Sequence, residues 1–269
     1  MFISIGFSLA VAMGLILGLI GSGGSMLTVP ILVYLFGLKP FIATGYSLLV
    51  VGSTAAVGTF SYWRRGLIRA RDTIVFVIPS TIMILVTRRF IVPSLPDPLL
   101  TLCGFPVPKG VFIMLIFAAL MLFAGWLMLK PLKVAPSQQS SYAPIVMMKL
   151  IFGSGVVGFL SGLVGAGGGF LITPVLITWF NLSMKEAIAT SLAVIMLNSL
   201  VGFQGDLLAG IMIDWHILGP FLALAILGML LGIRFNRHVD GALLKRFFGI
   251  FMLLLAGIIL VTEFFVLFH

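Results

Sequence analysis

Long apolar segments separated by short polar ones recur along nearly the whole chain. In the first half they cover about residues 2–20, 25–37, 43–62, 73–90 and 111–129, and in the second half about 145–164, 169–180, 187–204, 215–234 and 247–268. Most of them approach the roughly 20 residues that an α-helix needs to cross a bilayer. The pattern predicts an all-α, polytopic membrane protein that has the lipid bilayer as its surroundings.

The two halves of the chain are related in sequence. The segment from Gly14 to Ile68 aligns without a gap with the segment from Gly158 to Met212, at an offset of 144 residues, and 18 of the 55 aligned pairs are identical. Similarity at a fixed offset is the signature of an internal repeat. We therefore predict two repeats of five helical elements each: a first membrane repeat at 1–129, a linker at 130–144 and a second membrane repeat at 145–269.

The second element of each repeat is unusually short. In the first repeat it has about 13 residues, which is too few to span a bilayer without distortion. Either all five elements of each repeat cross the membrane, or the first two form a re-entrant hairpin. A proline-rich stretch at 91–109 is present in the first repeat only, and its prolines predict an extramembrane loop without regular helix.

Charged residues predict the orientation of the two repeats. They make up only 9% of the chain, and the net charge of +9 comes from basic clusters between apolar segments, which indicates membrane orientation rather than nucleic-acid binding. Arg64 and Arg65 follow the third element of the first repeat, whereas the matching loop at 205–214 contains Asp206 and Asp214 but no Lys or Arg. The positive-inside rule then predicts inverted repeats, a cytoplasmic linker and external termini.

A glycine-rich break interrupts the apolar pattern at the same place in each repeat, at residues 21–25 and 165–169. At membrane depth such a break is tolerated only where protein or a water-filled cavity lines it. A new helix starts directly after each break, so its first N–H groups and positive dipole end point back towards the break. Two such breaks in inverted halves predict one anion site near mid-membrane. The alternative is that the glycines only permit close helix packing.

On the third element of each repeat, two polar side chains seven residues apart lie on the same helix face. They are Ser47 and Thr54 in the first repeat, and Ser191 and Asn198 in the second. They are candidates for additional donors, although Ser and Thr hydroxyls often bond to their own helix instead. Ser25 is either a further donor or a helix cap. The complete set of candidate substrate-binding residues is Gly21, Ser22, Gly23, Gly24, Ser25, Ser47, Thr54, Gly165, Gly167, Gly168, Gly169, Ser191 and Asn198.

Other functions find little support in the sequence. The seven acidic residues lie at or near the ends of predicted elements, which favours an anionic or neutral solute over a cation. The three His residues lack a metal-binding spacing, and neither a catalytic constellation nor a nucleotide-binding loop is present. We therefore expect no enzyme activity, no cofactor and no metal. An anion channel with the same site and a structural membrane subunit are the alternatives, and the oligomeric state is open, with a homodimer as one option.

The repeated motif Gly-x-Gly-Gly-x(5)-Pro starts at Gly21 and at Gly165, and it is followed by the sequence ATGYSL from Ala43 and AIATSL from Ala187. Together these features resemble the sulfite exporter (TauE/SafE-type) permease family, within the 4-toluene sulfonate uptake permease superfamily. The resemblance implies a permease for small organic or sulfur-containing anions, such as sulfite, sulfonates or sulfoacetate, in a bacterial inner membrane. It also implies that the motif glycines form the substrate site, with Ser25 as a departure from the all-glycine form.

Overall fold

The computed structural model describes residues 2–96, 100–102, 105–130, 144–164, 169–180, 182–208, 213–236 and 239–268. Its helices are α1 (Phe2–Ile20), α2 (Ser25–Pro30), α3 (Pro40–Trp63), α4 (Ala70–Val86), α5 (Val92–Ser94), α6 (Lys109–Leu129), α7 (Pro144–Val164), α8 (Gly169–Thr178), α9 (Met184–Leu208), α10 (Trp215–Asn236) and α11 (Gly241–Phe268). Helix α2 continues as a π-helical turn over Ile31–Leu35, and a second π-helical turn over Thr87–Ile91 joins α4 to α5.

Six of the described helical segments are long and apolar enough to cross a membrane: Pro40–Trp63, Ala70–Ser94, Lys109–Leu129, Met184–Leu207, Trp215–Asn236 and Gly241–Phe265. Each of the ten elements expected from the hydropathy pattern corresponds to a helix. The predicted fold class, an α-helical polytopic membrane protein, is confirmed. The predicted linker at 130–144 falls almost entirely outside the described residues.

The proline-rich stretch differs in part from the predicted irregular loop. The helix that begins at Ala70 continues through the π-helical turn Thr87–Ile91 to Ser94, and Pro93 is the second residue of the short α5 that follows this turn. Further along, Leu100–Leu102 (β1) and Phe105–Val107 (β2) pair as a short antiparallel hairpin. The insertion therefore extends one membrane helix and adds a small hairpin.

Equivalent helices of the two repeats pack against each other. Helix α3 contacts α9 and α6 contacts α11, while the first helix of each repeat packs on the fourth helix of the other, α1 on α10 and α7 on α4. Along the α3 and α9 pair, Gly52 lies beside Ser199, and Gly58 lies beside Leu192. The residue numbers of the contacts decrease along α9 as they increase along α3, so the two helices are antiparallel.

Helices α1 and α10 run parallel in very close contact. Gly228 faces the backbone of Val11, and Gly232 faces the backbone of Leu15, so a side chain at either glycine would collide with main-chain atoms of α1. Small residues at such a contact let two membrane helices approach closely. For the glycines of this pair, tight packing is therefore a sufficient explanation.

Helices α3 and α9 form the centre of the molecule. In their most apolar windows 67% and 72% of the residues are buried, compared with 28% to 50% for the other four long spans. The antiparallel α3 and α9 pair thus provides the frame against which the shorter helices α2 and α8 lie.

Candidate functional site

The first glycine-rich break turns the chain sharply between α1 and α2. Gly21 has φ +82°, a left-handed conformation that glycine adopts without a steric penalty, and its N–H donates to the Leu17 carbonyl. A Cβ atom on Gly21 would lie 2.8 Å from the carbonyl oxygen of Ile188 on α9. Both the backbone conformation and the neighbouring helix therefore require glycine at this position.

The starts of α2 and α8 lie next to each other. A Cβ atom on Gly169, the first residue of α8, would lie 2.8 Å from the Ser25 hydroxyl oxygen and 2.7 Å from the Ile195 side chain. Ser25 and Gly169 are equivalent positions in the two repeats, and Ile195 is close to the midpoint of Met184–Leu208. The two short helices thus begin side by side at the centre of α9. Residues 165–168 of the second break lie outside the described residues.

A hydrogen bond between side chains joins the first break to α8. The Ser22 and Thr173 hydroxyl oxygens are 2.6 Å apart, and both side chains are fully buried. Ser25 donates its hydroxyl proton to the Ser22 carbonyl at 2.7 Å, so its hydroxyl serves the turn itself. Thr173 was not among the residues expected from the sequence, although its place one turn beyond Gly169 is a signal that could have indicated it.

The hydroxyl groups of the central helices differ in their bonding. Thr54 donates to the Val50 carbonyl at 2.6 Å, and Ser191 donates to the Ile188 carbonyl at 2.9 Å, which is back-bonding within the helix. The Ser47 hydroxyl is buried and has no hydrogen-bond partner in the described part of the chain. Of these three candidate donors, Ser47 therefore retains an unused hydroxyl group.

Asn198 is fully buried and connects α9 to α4. Its side-chain oxygen accepts hydrogen bonds from Ser80 at 3.2 Å and from Thr81 at 2.6 Å, and its amide nitrogen donates to the Ser80 hydroxyl at 2.9 Å. The structure therefore brings Ser22, Ser25 and Gly169 together, while the hydrogen bonds of Asn198 lead to another helix.

Comparison with known proteins identifies the family to which the chain belongs. The family model described as sulfite exporter TauE/SafE matches residues 6–259, which is nearly the whole chain. The chain belongs to the sulfite exporter TauE/SafE family. This family consists of membrane transporters and is not an enzyme class, so the protein is an integral, multi-pass membrane transporter of the TauE/SafE type that carries a small solute.

Relatives of this TauE/SafE transporter are similar over most of their length. A probable membrane transporter protein of Xylella fastidiosa (strain 9a5c) is 31% identical over 253 residues, which cover 90% of this chain and 89% of the relative. The probable membrane transporter protein YunE of Bacillus subtilis (strain 168) is 29% identical over 281 residues, covering 96% and 98% of the two chains. No solved structure matches the chain.

In this TauE/SafE transporter, the loop after each central helix is bonded to the central helix of the other repeat. The Arg69 N–H donates to the Thr190 hydroxyl at 3.2 Å, and the Asp214 N–H donates to the Tyr46 hydroxyl at 2.6 Å. Tyr46 and Thr190 are equivalent residues of the two repeats. These paired contacts lie at opposite ends of the antiparallel α3 and α9, and neither was expected from the sequence.

An ion pair strengthens the contact at Arg69. Its guanidinium group bonds to one carboxylate oxygen of Glu186 at 2.6 and 2.9 Å, while the Ser183 N–H and hydroxyl donate to the other oxygen. Ser183 and Glu186 form the reciprocal capping box that starts α9. The beginning of α9 is thus fixed both by its own cap and by the loop after α3.

Buried charge at the other end of α9 was also not expected. Arg88 forms an ion pair with Asp206, and both side chains are only 4% exposed. Arg88 is therefore not a free surface cation, because Asp206 compensates its charge within the protein. Glu263, which the sequence places near an element end, is likewise buried inside the span Gly241–Phe265.

Proposed function

We propose that this protein is a secondary transporter that moves small organic or sulfur-containing anions, such as sulfite, sulfonates or sulfoacetate, across the bacterial inner membrane by alternating access. The observation that carries this proposal is the contact between Ser25 and Gly169, the first residues of α2 and α8, at the middle of α9. The printed name of the family, sulfite exporter, supports a sulfur oxyanion as the substrate.

The chemistry of helix starts explains why this place favours an anion. Helix α8 and the continuous helical segment Ser25–Leu35 both begin at the contact, so their N–H groups and the positive ends of two helix dipoles lie close together. The buried hydroxyl groups of Ser22 and Thr173 lie beside them. The described residues of these two helical segments include no Asp or Glu, and such donors suit a small oxyanion, which carries several acceptor oxygens.

The packing of the helices supports inverted repeats. Equivalent helices α3 and α9 are antiparallel, as expected when the two repeats are related by an axis in the membrane plane. Helix α1 packs along the spanning helix α10, which indicates that α1 also crosses the membrane. The segment from Gly21 to Leu35 then leads back to the side where α3 starts. The packing therefore favours five crossing elements per repeat over a re-entrant hairpin. The basic clusters then place the linker in the cytoplasm and both termini outside.

Alternating access requires contacts that close each side in turn. On the cytoplasmic side the contacts of Arg69 with Thr190 and Glu186 join the two repeats, and on the external side the contact of Asp214 with Tyr46 does so. Opening one side breaks its contacts while the other set persists. Because each set lies between equivalent elements, one rocking motion of the repeats exchanges the two states.

The test is transport by the purified protein in proteoliposomes, with radiolabelled sulfite and sulfonates in uptake and counterflow assays. Saturable counterflow is expected of a carrier, whereas a channel shows flux without it. Ser22→Ala is expected to weaken transport, because it removes a hydroxyl at the junction of α2 and α8. Ser154→Ala, which removes an equally buried hydroxyl that bonds within α7, is the matched control. Equal flux in wild type and Ser22→Ala would contradict the site assignment.

A further inference from the structure

A carboxyl group lies buried in the far half of the last helix. Glu263 on α11 is 4% exposed and lies within the apolar segment Gly241–Phe265. It follows the basic residue Arg246 by 17 residues, which corresponds to about 25 Å along a helix axis. Since Arg246 belongs to the cytoplasmic basic cluster and the hydrocarbon core is about 30 Å thick, Glu263 lies towards its external boundary but still within the apolar segment, where a buried acidic residue is costly and marks a functional site.

The surroundings of Glu263 supply a hydroxyl group, and no described basic residue forms an ion pair with its carboxylate. Tyr34 donates its hydroxyl proton to a Glu263 carboxylate oxygen at 2.6 Å. Glu263 takes part in neither of the ion pairs Arg69–Glu186 and Arg88–Asp206. The described charged residues of the helices that pack on α11 lie at or next to helix ends: Lys109 at the start of α6 and Lys130 just after it, and Lys185, Glu186 and Asp206 on α9, with none on α1. A buried carboxylate in such surroundings favours its neutral, protonated form.

A continuous helix connects Tyr34, the hydrogen-bond partner of Glu263, with the proposed anion site. Tyr34 lies on the π-helical turn Ile31–Leu35, which continues α2, and α2 begins at Ser25. Tyr34 follows Ser25 by nine positions, which corresponds to about 14 Å of helix. π-Helical turns inside helices often occur at functional sites. The hydrogen bond of Tyr34 therefore fixes the far end of the helix that starts at the anion site.

We propose that Glu263 is a proton-binding site that couples proton movement to anion movement, so that one proton accompanies each anion across the membrane. This inference rests on the proposed anion transport. A proton from the external water binds a carboxylate oxygen of Glu263, which turns a charge-assisted hydrogen bond from Tyr34 into a weaker neutral one. The π-helical turn is then freed, α2 shifts at Ser25, and the proton is released on the other side together with the anion.

The experiment uses the full chain in proteoliposomes and radiolabelled methanesulfonate, which stays ionised near neutral pH, so that pH acts on the protein alone. With acid outside, each pH unit of gradient is expected to accumulate the anion about tenfold in wild type if one proton is coupled. Glu263→Gln is expected to lose this accumulation and to keep counterflow at equal pH. Asp240→Asn, at an exposed acidic residue just before α11, is expected to behave as wild type. Gradient-driven accumulation by Glu263→Gln would overturn the proposal.

A second measurement separates failure of the proton site from failure of the transport proposal. Infrared difference spectra of the purified protein, acid minus alkaline, report the C=O stretch of protonated carboxylic acids without any transport. Glu263→Gln is expected to lose one such band that wild type and Asp240→Asn retain. If wild type moves no methanesulfonate, the proposed function fails for this anion while the band still tests the proton site. Identical spectra for wild type and Glu263→Gln would overturn the proton site itself.

Discussion

The hydroxyl oxygens of Ser22 and Thr173, 151 residues apart in sequence, lie 2.6 Å from each other in the buried centre of the molecule. This contact joins the glycine-rich break of the first repeat to the helix that follows the break of the second. It places a polar pair at the junction of the two short helices, where the proposed anion site lies. The pair can be tested for stability and for transport separately.

Replacing Thr173 by Val keeps the shape of the side chain and leaves the Ser22 hydroxyl without its partner. We expect Thr173→Val to lower the free energy of unfolding by about 1–3 kcal/mol, since an unsatisfied buried polar group costs that much. Thermal unfolding of the purified protein in detergent measures the change. Thr178→Val, which loses bonds to the Pro174 and Val175 carbonyls within the same helix, serves as control. A larger loss of stability in Thr178→Val than in Thr173→Val would contradict the importance of the contact.

The left-handed conformation of Gly21 predicts a specific defect. Gly66 also has a positive φ of 66°, but a Cβ atom there would have no neighbour within 4 Å, whereas one on Gly21 would crowd Ile188. Gly66→Ala is therefore expected to cost only the conformational strain, about 1–2 kcal/mol. Gly21→Ala is expected to cost more and also to reduce anion counterflow. Thermal unfolding together with counterflow assays would show this, and equal effects of the two substitutions would argue against the prediction.

The buried ion pair between Arg88 and Asp206 predicts a non-additive result. Asp206→Asn leaves the Arg88 guanidinium buried and unpaired, so we expect a loss of about 3–5 kcal/mol of stability. The double variant Arg88→Met with Asp206→Leu removes both charges and is expected to be more stable than Asp206→Asn alone. Thermal inactivation rates of the two variants provide the comparison. A double variant that unfolds faster than Asp206→Asn would show that the loss of stability in the single variant does not come from an uncompensated buried charge.

We expect Asn198 to contribute to the stability of the folded protein and not to its affinity for the anion. Its hydrogen bonds lead to Ser80 and Thr81 on α4, so Asn198→Ala removes contacts between two helices and leaves those hydroxyls with fewer partners. We expect a loss of about 1–3 kcal/mol in stability and an unchanged concentration dependence of counterflow. Ser22→Ala should in contrast change the concentration dependence of counterflow, which makes it the matched comparison. A weaker apparent anion affinity in Asn198→Ala would instead place this amide in the site.

The helices and the two breaks were predictable because their signals are local. Apolar runs define the long spans, and the offset of 144 residues aligns Gly21 with Gly165 directly in the sequence. The partners of the polar groups were not predictable in the same way. Tyr34 and Glu263 are separated by 229 residues, and Arg88 and Asp206 by 118, so only the packing of the helices brings each pair together. Asp206 and Glu263 do lie near the ends of α9 and α11, as expected, but their burial was not predictable from the sequence.

The contact of Arg69 with Glu186 predicts that the cytoplasmic side can be locked. In the background Cys103→Ser, which removes the one native cysteine, the pair Arg69→Cys with Glu186→Cys places two thiols at the contact between the α3–α4 loop and the start of α9. Because alternating access requires this contact to open, a thiol-specific bifunctional cross-linker is expected to abolish counterflow. Each single cysteine variant, treated in the same way, controls for modification alone and should stay active. Cross-linked protein that still exchanges anions at the rate of the untreated protein would show that this contact does not open during transport.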